Sequence, residues 1–122
     1  MKLTHRYQSG ACVITIAGEV DVTTSRDLET YLDLVRRSLD DHLIIDAGNL
    51  SFLDSSGLAV LLAAAVLAQA RGGAVHLAGL QPRVARILEI TGAMVAIRTH
   101  EHVEEALTAI ESMSEAGIAE PA

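Results

Sequence analysis

A polar corner set directly before an apolar run constrains this chain more than any other stretch. From Ser51 to Gly73 it reads SFLDSSGLAVLLAAAVLAQARGG. Phe52 and Leu53 lead in, Asp54-Ser55-Ser56-Gly57 makes the corner, Leu58 to Ala68 is apolar, and Arg71-Gly72-Gly73 ends it. A small acidic side chain and two hydroxyls before such a run are a helix start. Alanine and leucine propagate a helix, and paired glycines stop it. The reading is a helix over 56–71. Ser55 and Ser56 then fall where backbone N–H groups lack intrahelical partners and the macrodipole is positive. An anion suits such a place, including a phosphate attached to a serine. The run is also apolar all round, while a helix packed on one sheet leaves a face outward. Its outer alanines and leucines are either a docking patch or covered by neighbouring helices.

The rest of the chain alternates strand and helix. Leu3 to Tyr7 and Ala11 to Ala17 read as strands around a Gln8-Ser9-Gly10 turn, the second rich in β-branched residues. Thr23, Thr24 and Ser25 offer a cap. Leu28, Tyr31, Leu32, Val35 and Leu39 follow helical spacing, predicting a first helix that ends near Asp40. Leu43-Ile44-Ile45 fits a strand buried on both faces, and Asp46 to Asn49 has loop composition. Ala74 to Ala78 is another strand, and Pro82 to Gly92 a helix with proline in its first turn. Val95-Ala96-Ile97 reads as an edge strand and His100 to Met113 as the last helix, with a frayed tail over 114–122. The order ββαβαβαβα implies βαβ units with parallel pairing after an opening hairpin, hence a mixed sheet in an α/β domain. Leu43, Ile44, Ile45, Val60, Leu61, Val75 and Leu77 are the expected core.

Composition excludes several functions. The chain has 122 residues, enough for one domain. Its formal net charge is −7, without a Lys/Arg cluster, and aromatics are 2%, so neither a phosphate-backbone groove nor a base-stacking platform is expected. Cys12 is the sole cysteine, which excludes an internal disulfide and reads as a buried strand residue. The N-terminus leads into no signal-peptide core, and the longest apolar run is too short to span a bilayer. The expected location is the cytoplasm, with no membrane and no direct nucleic-acid partner. The histidines His5, His42, His76, His100 and His102 are scattered and read as surface residues.

Gly18-Glu19-Val20-Asp21, Leu43-Ile44-Ile45-Asp46, Phe52-Leu53-Asp54-Ser55-Ser56-Gly57-Leu58 and Ile90-Thr91-Gly92 stand in one order and spacing. Together they resemble the anti-sigma factor antagonists of the STAS domain family, over about Gly10 to Ala109. The resemblance implies a STAS-like sheet of about five strands with about four helices, mainly on one side, as one domain over 1–113. It implies a bacterial partner-switching regulator. When dephosphorylated, such a protein binds an anti-sigma factor that is itself a serine kinase, and the sigma factor is released. The kinase, using its own ATP, phosphorylates the first serine, here Ser55, and a PP2C-type phosphatase reverses this. Asp21, Asp54, Ser55, Ser56, Gly57 and Leu58 would form the partner-binding region. No cofactor is expected.

Other readings compete. A serine hydrolase would use Ser55 with His76 as base, but Gly-x-Ser-x-Gly is missing and Asp54 crowds the serine with negative charge. A nucleotide-binding enzyme lacks both glycine-rich phosphate motifs. Asp54 reads as a cap rather than a metal ligand, since no second carboxylate stands at ligand spacing. A STAS module serving another signalling or transport-associated assembly is the remaining alternative.

Overall fold

The computed structural model describes residues 1–36 and 42–119, with backbone alone over 114–119. Strands β1 (Lys2–Gln8) and β2 (Ala11–Val20) form the opening antiparallel hairpin. Its turn needs left-handed backbone, and Ser9 (φ 52°) and Gly10 (φ 77°) supply it. The long β2 then serves two partners. Its first half pairs in parallel with β3 (His42–Asp46) and its second half with β4 (Leu50–Leu53), after a register shift at Gly18 and Glu19. Strands β5 (Val75–Ala78) and β6 (Arg98–His100) complete the order β1-β2-β3-β5-β6, with β4 beside the end of β2.

The helices are α1 (Ser25–Val35), α2 (Ser55–Ala70), α3 (Pro82–Thr91) and α4 (Val103–Ala119). The expected mixed α/β sheet with helices mainly on one side is therefore what the chain forms. Cys12, Ile14, Ile16, Leu43, Ile45, Val75 and Leu77 point to the face packed by α1, α2 and α3. The alternate residues Ala11, Val13 and Ile44 meet Ala106, Leu107 and Ile110 of α4 on the other face. Ile44 and Ile45, both 0% exposed, are thus buried on opposite faces of a central strand. Each such side chain stabilises the fold by roughly 1.5–3 kcal/mol relative to exposure. Of the expected core, only Val60 is merely half-buried.

Several boundaries differ from the sequence reading. Strand β4 was expected as loop and lead-in, because four residues abutting a helix cap leave little room for alternation. The first helix ends at Val35 rather than near Asp40. Arg36 is already extended, and the Val35 carbonyl accepts hydrogen bonds from the Tyr7 hydroxyl and Cys12 Sγ. Leu39 and Asp40 lie outside the described residues. Val95 to Ile97 is no strand. Left-handed Gly92 leads into a 3-10 turn, Ala93–Val95, and the edge strand is the more polar Arg98–His100. Because His100 belongs to β6, α4 starts at Val103, and its backbone stays helical past Met113 to Ala119.

The histidines also need correction. His76 is fully buried, on the α4 face of the sheet. Its Nδ1 lies 3.0 Å from His100 Nε2, and its ring centroid lies 5.6 Å from that of His42 on the neighbouring strand. Burial first, then His100, His42 and Arg98, push its pKa from 6.5 down to about 4, so it is a neutral core imidazole.

Candidate functional site

Two chain turns meet at the end of the β2–β4 pair, where Val20 stands opposite Leu53. After β2, Asp21 folds the chain back. Its Oδ1 accepts from Thr23 N (2.9 Å) and Thr23 Oγ1 (2.6 Å), and its carbonyl accepts from Ser25 N at 2.8 Å. After β4, Asp54 caps α2. Its Oδ1 accepts from Ser56 N (3.0 Å), Ser56 Oγ (2.5 Å) and Gly57 N (3.1 Å). The two turns are joined. Asp54 N donates to the Val20 carbonyl at 3.2 Å, and the Val22 backbone N–H reaches the Asp54 carboxylate.

These bonds fix the charge of the corner. The Thr23 hydroxyl, before the other donors, holds the Asp21 carboxyl below its ordinary 3.8. The Ser56 hydroxyl, followed by Gly57 N–H, does the same for Asp54. Two carboxylates therefore stay ionised on adjoining turns at neutral pH. The expectation of vacant N–H groups beside the serines is corrected here, since Asp54 already takes those of Ser56 and Gly57.

The two serines are not equivalent. Ser55 is exposed, and its hydroxyl has no hydrogen-bond partner among the described residues. Ser56 is half-buried and its hydroxyl is committed to Asp54. Gly57 and Leu58, expected at the partner surface, lie in the core instead. A Cβ on Gly57 would stand 2.6 Å from both Leu53 Cδ1 and Val20 Cγ1, so only glycine lets α2 approach the sheet this closely. Two surface residues were missed: Val22, 75% exposed, and Phe52, 36% exposed, set apolar surface beside the polar corner. Their signal in the sequence was an apolar side chain next to each acidic turn.

His76 lies on the α4 face while Ser55 opens α2 on the other, so the Ser55–His76 dyad does not form. Glu101, His102 and Glu105 bring one ligand atom each within 4.8 Å of one another, but all three are exposed. Open carboxylates without a buried supporting shell do not make a metal centre.

The corner thus presents an exposed serine on a helix start, flanked by ionised carboxylates and apolar side chains. The chain belongs to the STAS domain family, whose sequence pattern matches residues 3–106. It is 28% identical over 115 residues to the anti-sigma F factor antagonist of Paenibacillus polymyxa, covering 93% of this chain and 98% of that one. An anti-sigma factor antagonist from Mycobacterium paratuberculosis superposes with a TM-score of 0.80 at 25% identity, over 90% of this chain and 93% of that one. The antagonist SpoIIAA in its unphosphorylated form superposes with a TM-score of 0.75 at 20% identity, over 91% and 97% of the two chains. Its phosphorylated form, from Bacillus, gives 0.68 at 19% identity, over 89% and 99%.

Proposed function

We propose that this protein is an anti-sigma factor antagonist switched by phosphorylation of Ser55. Dephosphorylated, it binds an anti-sigma factor serine kinase through the surface around Asp21, Val22, Phe52, Asp54 and Ser55, and the sigma factor is released. The kinase transfers phosphate from its own ATP to Ser55, and a PP2C-type phosphatase restores the binding form. Ser56, Gly57 and Leu58 shape this surface from beneath. The proposed setting is the cytoplasm; among the described residues no helix is long and apolar enough to cross a membrane.

One observation carries the reading: Ser55 offers an uncommitted, exposed hydroxyl, while Ser56 beside it is half-buried and bonded to Asp54. A phosphate there adds roughly −1.5 to −2 charge at neutral pH. The helix dipole tolerates it, so the fold survives. An interface would not. The new charge stands beside Asp54, whose carboxylate already holds the nearest N–H donors, so repulsion and desolvation are uncompensated. A binding loss of only about 1.4 kcal/mol is tenfold in affinity. The switch thus needs no large conformational change.

The test uses the partner kinase with Mg-ATP, phosphosite mapping by mass spectrometry, and binding measurements. Ser55 is modified and Ser56 is not. Ser55→Ala folds, binds the kinase and escapes modification, while Ser55→Asp folds and binds weakly. Phosphate found only on Ser56, or full kinase binding by Ser55-phosphorylated protein, overturns the mechanism.

A further inference from the structure

Strand β1 is an edge of the sheet. Its 7 residues pair with β2 without a register break, and among the described residues no strand pairs with its other side. In a strand paired on one side, alternate residues turn both N–H and C=O outward. Such edges are ordinarily guarded by proline, a bulge, shortness or charge. The edge strand β6 is short, with 3 residues, whereas β1 is guarded by charge alone. Lys2, the sole lysine, and Arg6 stand on it, and no acidic residue precedes Glu19, although the whole chain carries −7. Lys2 and Arg6 pair with Ala17 and Val13, which sets them with Thr4 and Gln8 on the α4 face of the sheet, all four exposed. Neither cation makes an ion pair among the described residues. Leu3, His5 and Tyr7 take the opposite face. There the Tyr7 hydroxyl donates to the Val35 carbonyl, and His5 Nδ1 lies 2.6 Å from the Tyr31 hydroxyl. These ties fix the edge against α1 in advance, which lowers the ordering cost of binding.

We propose that the outer edge of β1 takes up an extended acidic segment of a partner protein as an added strand. Main-chain bonds supply the pairing and alternate side chains the selectivity. Acidic side chains at every second position of such a segment stand beside Lys2 and Arg6, and apolar ones between them extend the face of Leu3 and Tyr7. Asp46, Glu101 and Glu104 share a pocket with Arg6. They belong to β3, to the turn before α4 and to α4, all on the inner side of β1, so the added strand lies beyond Arg6 from them. The same charges disfavour a second copy, because two β1 strands would set basic edge against basic edge. The proposal does not depend on the phosphorylation of Ser55.

The experiment is an amide NMR titration of the whole chain at low salt with the acetylated, amidated peptide Glu-Val-Glu-Val-Glu-Val-Glu. Saturable shifts centred on β1, with slowed hydrogen exchange of its amides, support the added strand, and binding weakens as salt is raised. The double variant Lys2→Glu, Arg6→Glu weakens binding at least tenfold. Thermal melts accompany the titrations, and should that variant melt early, Lys2→Gln with Arg6→Gln replaces it. Two control peptides separate charge from pairing. One carries lysine for every glutamate, and the other keeps the glutamates but is N-methylated throughout, so that it cannot donate. Equal binding of either control, unchanged affinity of the charge variants, or no saturable response at millimolar peptide overturns the proposal. Sedimentation showing a peptide-free dimer with protected β1 amides also overturns it, since a second copy would then occupy the edge.

Discussion

Acid loosens this fold through His76. The ring is wholly buried and its pKa stands at about 4 instead of 6.5, from burial first and then from His100, His42 and Arg98. Imidazole is a base, and its folded pKa lies below its unfolded one. Below pH 6.5 the unfolded chain takes up a proton that the folded chain refuses. Stability is therefore full above 6.5, falls as pH drops toward about 4, and levels off beneath that. At about 1.4 kcal/mol per pH unit, the fall from 6.5 to about 4 bounds the loss at about 3.5 kcal/mol; coupling to His100 and partial screening bring it to about 2 kcal/mol. The groups facing the ring are His42 on β3, Arg98 and His100 on β6, and Glu105 of α4 beside His100. His100 is held low as well, mainly by burial, and Glu105 opposes this, so it contributes in the same direction. Asp21 and Asp54 are held below 3.8, so their contribution fades only at still lower pH, through their folded pKa values. The assay is urea unfolding of wild type and His76→Leu at steps from about pH 7 down to about pH 4. The carboxylates are common to both proteins and cancel. The wild type loses about 2 kcal/mol more than the variant across this window. Parallel curves would refute the assignment of acid sensitivity to the buried ring.

Gly57→Ala forces a methyl group against Leu53 and Val20, both fully buried, and should cost about 1–3 kcal/mol in urea unfolding; an unchanged midpoint would show that α2 shifts without penalty. Asp54→Ala removes the α2 cap and lowers the melting temperature, whereas Asp54→Asn, an equally good cap, recovers most of it. Equal melting of the two variants would locate the effect in charge rather than in capping. Val66, 62% exposed on α2, tolerates glutamate without loss of stability, and Val66→Glu weakens kinase binding if the outer face of α2 is part of the docking surface. Undiminished affinity confines the interface to the corner.

Much of the fold was legible because its signals are local. The cap-run-glycine pattern of α2, the β-branched run of β2 and the three apolar residues of β3 each point one way. The edges of the sheet were harder to read. Val95-Ala96-Ile97 looked more strand-like than Arg98-Thr99-His100, yet an edge strand needs backbone pairing with β5 more than apolar side chains. Strand β4 is defined by its pairing with β2 across a long stretch of sequence, which no window around Leu50–Leu53 contains. At the site, the serines and acids were visible as residue types, but their division of labour was not. Which hydroxyl Asp54 captures, and that Gly57 and Leu58 turn inward, depends on how α2 seats on Val20 and Leu53. The histidine row was invisible because His42, His76 and His100 are far apart in sequence and meet only when β3, β5 and β6 align.

Among the described elements, α4 alone covers its face of the sheet, and this bears on how the chain is made. Ala11, Val13 and Ile44 belong to the first half of the sequence, and the helix that covers them is the last element. During translation, β2 and β3 emerge and can pair long before Ala106, Leu107 and Ile110 leave the ribosome. Over that interval the nascent sheet presents a sticky apolar face to solvent. Chaperone capture and premature aggregation therefore converge on one surface and end together, when α4 docks.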